Sequence, residues 1–320
     1  MPLPRDADPD ALLAAARAGD RRALARLVSE VERGGDAGRA VSRVVHPEGG
    51  HAYTVGITGA PGAGKSTLTS AVVAEIRSAG DRVAVVAIDP SSPFTGGAIL
   101  GDRVRMDEHA LDEGVFIRSM ATRGHLGGLT LATPQAIRVL DAAGWPWVLV
   151  ETVGVGQVEV EIAGSADTTV VVVNPGWGDA VQANKAGLME IADIFVINKA
   201  DRPGAAETRR DLAQMLELAG VRSEGGWEPP VIDTVANRHE GADELWAAVT
   251  RHRELVTRTG QLEERRSARL TDELRHIVAA RLLEQAMATT AGAAFEDACA
   301  DVLARRLDPW TAVDRLLDPA

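Results

Sequence analysis

The chain has 320 residues, of which 45% are hydrophobic and 25% charged, with a net charge of −12 at neutral pH. This balance suits a soluble globular protein with a full core and argues against general affinity for nucleic acid or an anionic membrane. The single cysteine, Cys299, excludes an internal disulfide framework and any multi-cysteine metal site. With no apolar run of membrane-spanning length and no signal-peptide core at the N-terminus, a cytoplasmic location is expected.

The first 45 residues read as helical, with apolar positions three to four apart and a break at Gly19-Asp20. A β-prone run at 54–58 follows, then Gly59-Ala60-Pro61-Gly62-Ala63-Gly64-Lys65-Ser66 and a helical pattern over 65–79. Strand, G-x-x-x-x-G-K-S, helix is the setting of a phosphate loop. Glycines let the backbone curl and aim its N–H groups inward. The Lys65 ammonium would reach the β- and γ-phosphates, the Ser66 hydroxyl would ligate Mg²⁺, and Thr67 joins the nucleotide-binding set in the first turn of the helix, whose N-terminus favours anions.

Further strands are expected at 82–88, 115–118, 146–151, 168–174 and 193–198, alternating with helices at 131–143, 179–191 and 205–219. Several strands are continuous apolar runs, as in parallel sheets covered on both faces. The expected fold is α/β, a P-loop NTPase with a doubly wound, mainly parallel sheet. Helical extensions flank it: residues 1–45 before the nucleotide-binding domain at 46–241, and residues 242–320 after it.

Chemistry-bearing residues follow the strands, where open α/β sheets bind ligands. Asp89 ends the second strand and can hold Mg²⁺ directly or through water. A Gly-rich loop comes next and carries Asp102, Arg103 and Arg105 as candidates. Glu151 ends the fourth strand, where P-loop NTPases place a metal-coordinating carboxylate, usually Asp. Gly154 belongs to the flexible stretch after it, and Gln157 is a candidate for orienting an attacking water.

Asn198-Lys199-Ala200-Asp201 follows the strand at 193–198. N-K-x-D there reads guanine: the Asp carboxylate accepts from N1–H and the exocyclic amine, a pairing adenine does not offer. Asn198 would brace the loops and the Lys199 stem would lie along the purine. The last base-contacting loop should follow the strand Pro230–Asp233, at Thr234-Val235-Ala236, with a backbone donor from Ala236.

After Gly241 the pattern is helical over 243–257, 262–289, 293–306 and 310–317. The stretch 261–269 is charge-dense, and Leu262, Leu270, Leu274 and Ile277 line one side. Such a stripe packs either on another subunit or on the chain's own core.

Together these segments resemble the MeaB/ArgK-type G proteins over about residues 40–250. The resemblance rests on 59–66, Asp89-Pro90-Ser91-Ser92, 95–103, 151–157, 188–193 and 198–201. It implies a Mg²⁺-dependent enzyme that hydrolyses GTP to GDP and phosphate. That enzyme would act as chaperone to an adenosylcobalamin-dependent acyl-CoA mutase, usually methylmalonyl-CoA mutase, gating cofactor loading and protecting the mutase. It also implies a homodimer joined through C-terminal helices. Asp89, Asp102 and Glu151 resemble the carboxylates around the metal and its waters. The loop 176–185, with Gln182 and Lys185, resembles an additional switch that communicates with the mutase.

Three rival readings remain. A metal-insertion GTPase needs clustered soft or imidazole ligands, whereas this chain has one Cys and seven scattered His. An ATP-driven transport-associated ATPase or kinase conflicts with N-K-A-D. A scaffold that binds nucleotide without hydrolysing it is a further alternative.

Overall fold

The computed structural model describes residues 8–90, 108–109, 111–122, 128–152, 165–176, 190–219, 226–289 and 292–317. They form two compact units, 1–269 and 270–320.

The first unit is built on seven parallel strands in the order β3-β2-β4-β1-β5-β6-β7. These are β1 Tyr53–Gly59, β2 Val83–Pro90, β3 Val115–Thr122, β4 Trp147–Thr152, β5 Thr168–Val173, β6 Ile194–Asn198 and β7 Val231–Thr234. Central strands are buried along their whole length, which is why they read as unbroken apolar runs. Because β1 lies between β4 and β5, the loop leaving it sits at the point where the strand order reverses.

Period-two alternation sends each strand's side chains to opposite faces. Val85, Leu149, Val55, Ile57, Val172 and Val196 share one core with α4 (Lys65–Ser78) and α7 (Ala242–Arg258), through Leu68, Val72, Ile76, Leu245 and Val249. On the other face, Ala84, Val86, Ile88, Val148 and Val150 meet α5 (Gly128–Ala142) and three N-terminal helices, α1 (Pro9–Arg17), α2 (Arg21–Arg33) and α3 (Gly35–Val45). Val171, Val173, Phe195 and Ile197 pack with Leu212 of α6 (Ala205–Ala219).

The helices at the N-terminus therefore share a core with the sheet. Asp20 caps α2, accepting from the Arg22 and Ala23 amides at 2.8 and 3.2 Å. A second break, at Gly34-Gly35, separates α2 from α3 and is not evident in the hydrophobic spacing. Likewise α7, read from sequence as part of the C-terminal extension, belongs to the first unit because its apolar face covers the sheet. The predicted helix at 179–191 lies outside the described residues except at its end.

At the strand ends opposite the β1 loop, buried carboxylates collect arginines from α8 (Gln261–Thr289). Asp167 accepts from Arg266 at 2.7 Å and from Arg269. Asp193 accepts from Arg265 at 3.1 Å and lies 3.3 Å from Nε2 of the buried His252. Arg266 also donates to the carbonyls of Gly50 and Ala52 at 2.7 Å each. Leu262 is buried in the sheet core, so the charge-dense first turns of α8 fold back on their own domain.

The second unit contains the rest of α8, α9 (Ala293–Leu303) and α10 (Pro309–Leu317). Leu270, Leu274, Val278 and Leu282 of α8 are all exposed, at a spacing of four.

Candidate functional site

Residues 59–66 leave β1, turn, and enter α4 at Lys65. Gly59 has φ +136°, and a Cβ there would lie 2.0 Å from the Val172 carbonyl of β5. Gly64 has φ +90°, and a Cβ there would lie 2.3 Å from Nδ2 of Asn198. At both positions a side chain is excluded by conformation and by space. The glycines thus let the loop lie against β5 and β6.

Lys65 is buried, and its Nζ donates to the carbonyls of Gly59 and Ala60 at 2.8 and 3.0 Å. The cation is held at the mouth of the loop. Ser66, on the first turn of α4, donates its hydroxyl to Oε1 of Glu151 at 2.5 Å. Glu151 pairs with Ile57 of β1 and Ala87 of β2 across the sheet, and both members of this hydrogen bond are buried. Below it, Thr152 donates to Thr58 at 3.1 Å, linking the ends of β4 and β1. Thr67 is half-buried in the same first turn.

On the other side of the loop, Asn198 ends β6 and is buried. Its Nδ2 donates to the Ala63 carbonyl at 2.8 Å. Its Oδ1 accepts from the Thr234 hydroxyl and from the Ala236 N–H, each at 3.1 Å. One amide therefore joins the loop after β1, the loop after β6 and the loop after β7. Lys199, at φ +59°, donates from Nζ to the Gly62 carbonyl at 2.6 Å, laying its stem across the phosphate loop. The Ala200 N–H donates to the Thr234 carbonyl at 3.0 Å. Asp201 is exposed at the rim, with Nη2 of Arg238 3.5 Å from its Oδ2.

The structure thus brings together 59–66, Glu151, Asn198, Lys199, Asp201 and 234–236. It also directs the Ala236 N–H, expected to serve the base, onto Asn198. Asp89 lies in the last two residues of β2, paired with Ala121 of β3. Asp102, Arg103, Arg105, Gly154, Gln157, Gln182 and Lys185 lie outside the described residues. Arg238 was not singled out in the sequence. Its signal was a basic residue two positions beyond the expected base-contacting loop.

A tight loop before a helix, a buried lysine and a hydroxyl–carboxylate pair are the parts that the phosphate-loop expectation calls for. A family model described as methylmalonyl Co-A mutase-associated GTPase MeaB matches residues 24–291. The chain belongs to the MeaB family of GTPases. A provisionally named GTPase of Pyrococcus abyssi is 52% identical over 309 residues, covering 96% of this chain and 95% of its own. The mouse methylmalonic aciduria type A homolog is 39% identical over 217 residues, covering 67% of this chain and 52% of its own. A crystal structure of a LAO/AO transport system kinase resembles this MeaB-family chain with a TM-score of 0.74 at 28% identity, covering 98% of both chains. As a MeaB-family GTPase, the chain binds guanine nucleotide and hydrolyses GTP to GDP and phosphate.

Proposed function

We propose that this MeaB-family GTPase serves an adenosylcobalamin-dependent acyl-CoA mutase, methylmalonyl-CoA mutase being the first candidate, by gating cofactor loading and protecting the mutase. The observation that carries the nucleotide half of this reading is the Asn198 amide, which locks the phosphate loop to both base-reading loops. Support for the partner comes from the family's description as mutase-associated.

In this reading Lys65 leaves its two carbonyl acceptors to meet the β- and γ-phosphates, and the N–H groups of Ala60, Gly62 and Gly64 with the α4 N-terminus hold phosphate oxygens. Asp201 receives the guanine edge and Lys199 supports the ring face. Ser66 Oγ and the Glu151 carboxylate are adjacent hard oxygen donors, a set that suits Mg²⁺. They would hold it with Asp89 and Asp102, and the ion when bound neutralises charge on the phosphates. Catalysis is then mainly positioning and charge neutralisation. The arginine candidates Arg103 and Arg105, Gly154 and the water-orienting candidate Gln157 belong to the segments that would respond to the γ-phosphate, and Gln182 and Lys185 to the one that would signal to the mutase.

Intrinsic turnover should be slow, since an arginine supplied to such a site is worth roughly 10³–10⁵ in rate. The exposed stripe Leu270, Leu274, Val278 and Leu282 supports a homodimer formed through C-terminal helices. Among the described residues no helix is long and apolar enough to cross a membrane.

The test is phosphate release from GTP and from ATP, with Mg²⁺, in the absence and presence of a B12-dependent mutase. The expected result is hydrolysis of GTP alone, accelerated by the mutase. Equal rates with and without mutase would overturn the partner assignment, and equal use of ATP would overturn the base assignment.

A further inference from the structure

We propose that Arg238 is a positioning residue for guanine selection, holding the Asp201 carboxylate in the orientation that accepts both donors of the guanine edge. The proposal rests on Asp201 being the base-reading carboxylate, and the experiment below separates the two claims.

Asp201 and Arg238 stand on different loops that are fixed to each other. Backbone and side-chain hydrogen bonds tie the loop after β6 to Thr234 and Ala236, as above. The Arg238 end is held just as firmly. Ala236–Arg238 form a 3-10 turn, closed by the Arg238 N–H on the Val235 carbonyl at 2.8 Å. The Val235 N–H donates to the Glu240 carbonyl at 3.0 Å, and His239 takes a left-handed conformation at φ +59°. A Cβ at Gly241 would lie 2.3 Å from the Asp233 carbonyl, so the return of this loop into α7 is also sterically set.

From that fixed base the Arg238 guanidinium faces two carboxylates. Its Nη2 is 3.5 Å from Asp201 Oδ2 and its Nη1 is 3.9 Å from Glu240 Oε1. The guanidinium is planar and carries its donors in a rigid fork. Placed between two anions, it is drawn toward the Asp201 carboxylate by charge, at ion-pair rather than hydrogen-bond distance.

The chemistry follows from counting lone pairs. A carboxylate offers about four acceptor sites on two oxygens. Guanine needs two of them, one for N1–H and one for the exocyclic amine. Contact with Arg238 on Oδ2 leaves both available and biases the rotation of the Asp201 side chain. Hypoxanthine has the N1–H but lacks the amine, so it needs only one correctly placed oxygen. A carboxylate free to rotate would therefore lose its advantage for guanine over hypoxanthine before it lost affinity for purines in general. An exposed ion pair of this kind adds little to folding stability, so the effect should appear in base selection and not in melting.

The test is titration of the full chain with GDP and with IDP in Mg²⁺ buffer, for wild type, Arg238→Met, Arg238→Lys and Asp201→Ala. The expected result is that Arg238→Met lowers the GDP-to-IDP affinity ratio roughly three- to fivefold, the scale of an exposed ion pair. Arg238→Lys should retain part of the ratio, and the melting temperature of Arg238→Met should match wild type. A wild-type ratio in Arg238→Met overturns the proposal. So does an equal loss for both nucleotides, which would mean that Arg238 only adds charge near the site. If Asp201→Ala keeps wild-type GDP affinity, the base-reading assignment itself fails and the proposal fails with it. If Asp201→Ala loses GDP affinity while Arg238→Met keeps the ratio, only the role of Arg238 is lost.

Discussion

Nδ2 of Asn198 donates to the Ala63 carbonyl at 2.8 Å, and in doing so it occupies the space a side chain at position 64 would need. The guanine motif and the phosphate motif are thereby one piece of structure. Gly64 serves that contact as much as it serves the turn.

Substituting Asn198→Ala strands the Ala63 carbonyl and removes the acceptor of the Ala236 N–H and the Thr234 hydroxyl. Each buried group left without a partner costs about 1–3 kcal/mol. The expected outcome is a lower denaturation midpoint in urea together with a large loss of GDP affinity by calorimetry. Retention of both would show that the three loops are held by other means.

Glu151 touches the proposed metal site through the Ser66 hydroxyl. Glu151→Gln should therefore keep the fold and raise the Mg²⁺ concentration needed for GTP hydrolysis by roughly 10-fold or more, since it removes a carboxylate that holds the ion or orients the Ser66 hydroxyl on it. Ser66→Ala should act in the same direction. A Mg²⁺ titration of hydrolysis that superposes on wild type would remove Glu151 from the metal's surroundings.

Asp167 and Asp193 make the first unit sensitive to acid. Burial alone would raise both carboxyls. For Asp167, the Arg266 hydrogen bonds and the charges of Arg269 and Arg266 outweigh it and hold the group below the ordinary 3.8. For Asp193, His252, Arg265 and the Thr169 N–H do the same. A depressed folded value means that the stabilisation is complete well above pH 3.8 and is lost as pH falls through the lower folded value. Asp167→Asn should cost about 3 kcal/mol at neutral pH, the low end for breaking a buried pair, because both arginines keep some solvent contact. The gap from wild type should narrow as pH is lowered. Urea unfolding over a pH series checks this, and a gap independent of pH would deny Asp167 its charge.

Much of this was legible from residues alone. Val83 to Ile88 and Thr168 to Val173 announced buried strands because a parallel strand covered on both faces has no polar side to show. The phosphate loop and N-K-A-D were readable because each packs its chemistry into a few consecutive residues. The arginine cluster was not. Arg266 and Asp167 are separated by 99 positions, and nothing local distinguishes a buried arginine from one in a solvated charge run. The division at Gly34-Gly35 was hidden because the apolar spacing continues across it on both sides.

By itself, the sequence determined the fold class and the use of guanine nucleotide, and it proposed where the triphosphate sits, since these depend on periodicity and on short motifs whose parts lie within one turn or strand. Only the tertiary structure decided that Asn198 unites three loops, that Arg238 stands beside Asp201, and that the first turns of α8 belong to the nucleotide domain. Those contacts join residues far apart in the chain, and their partners are chosen by the closure of the sheet and by the need of each buried polar group for a counterpart.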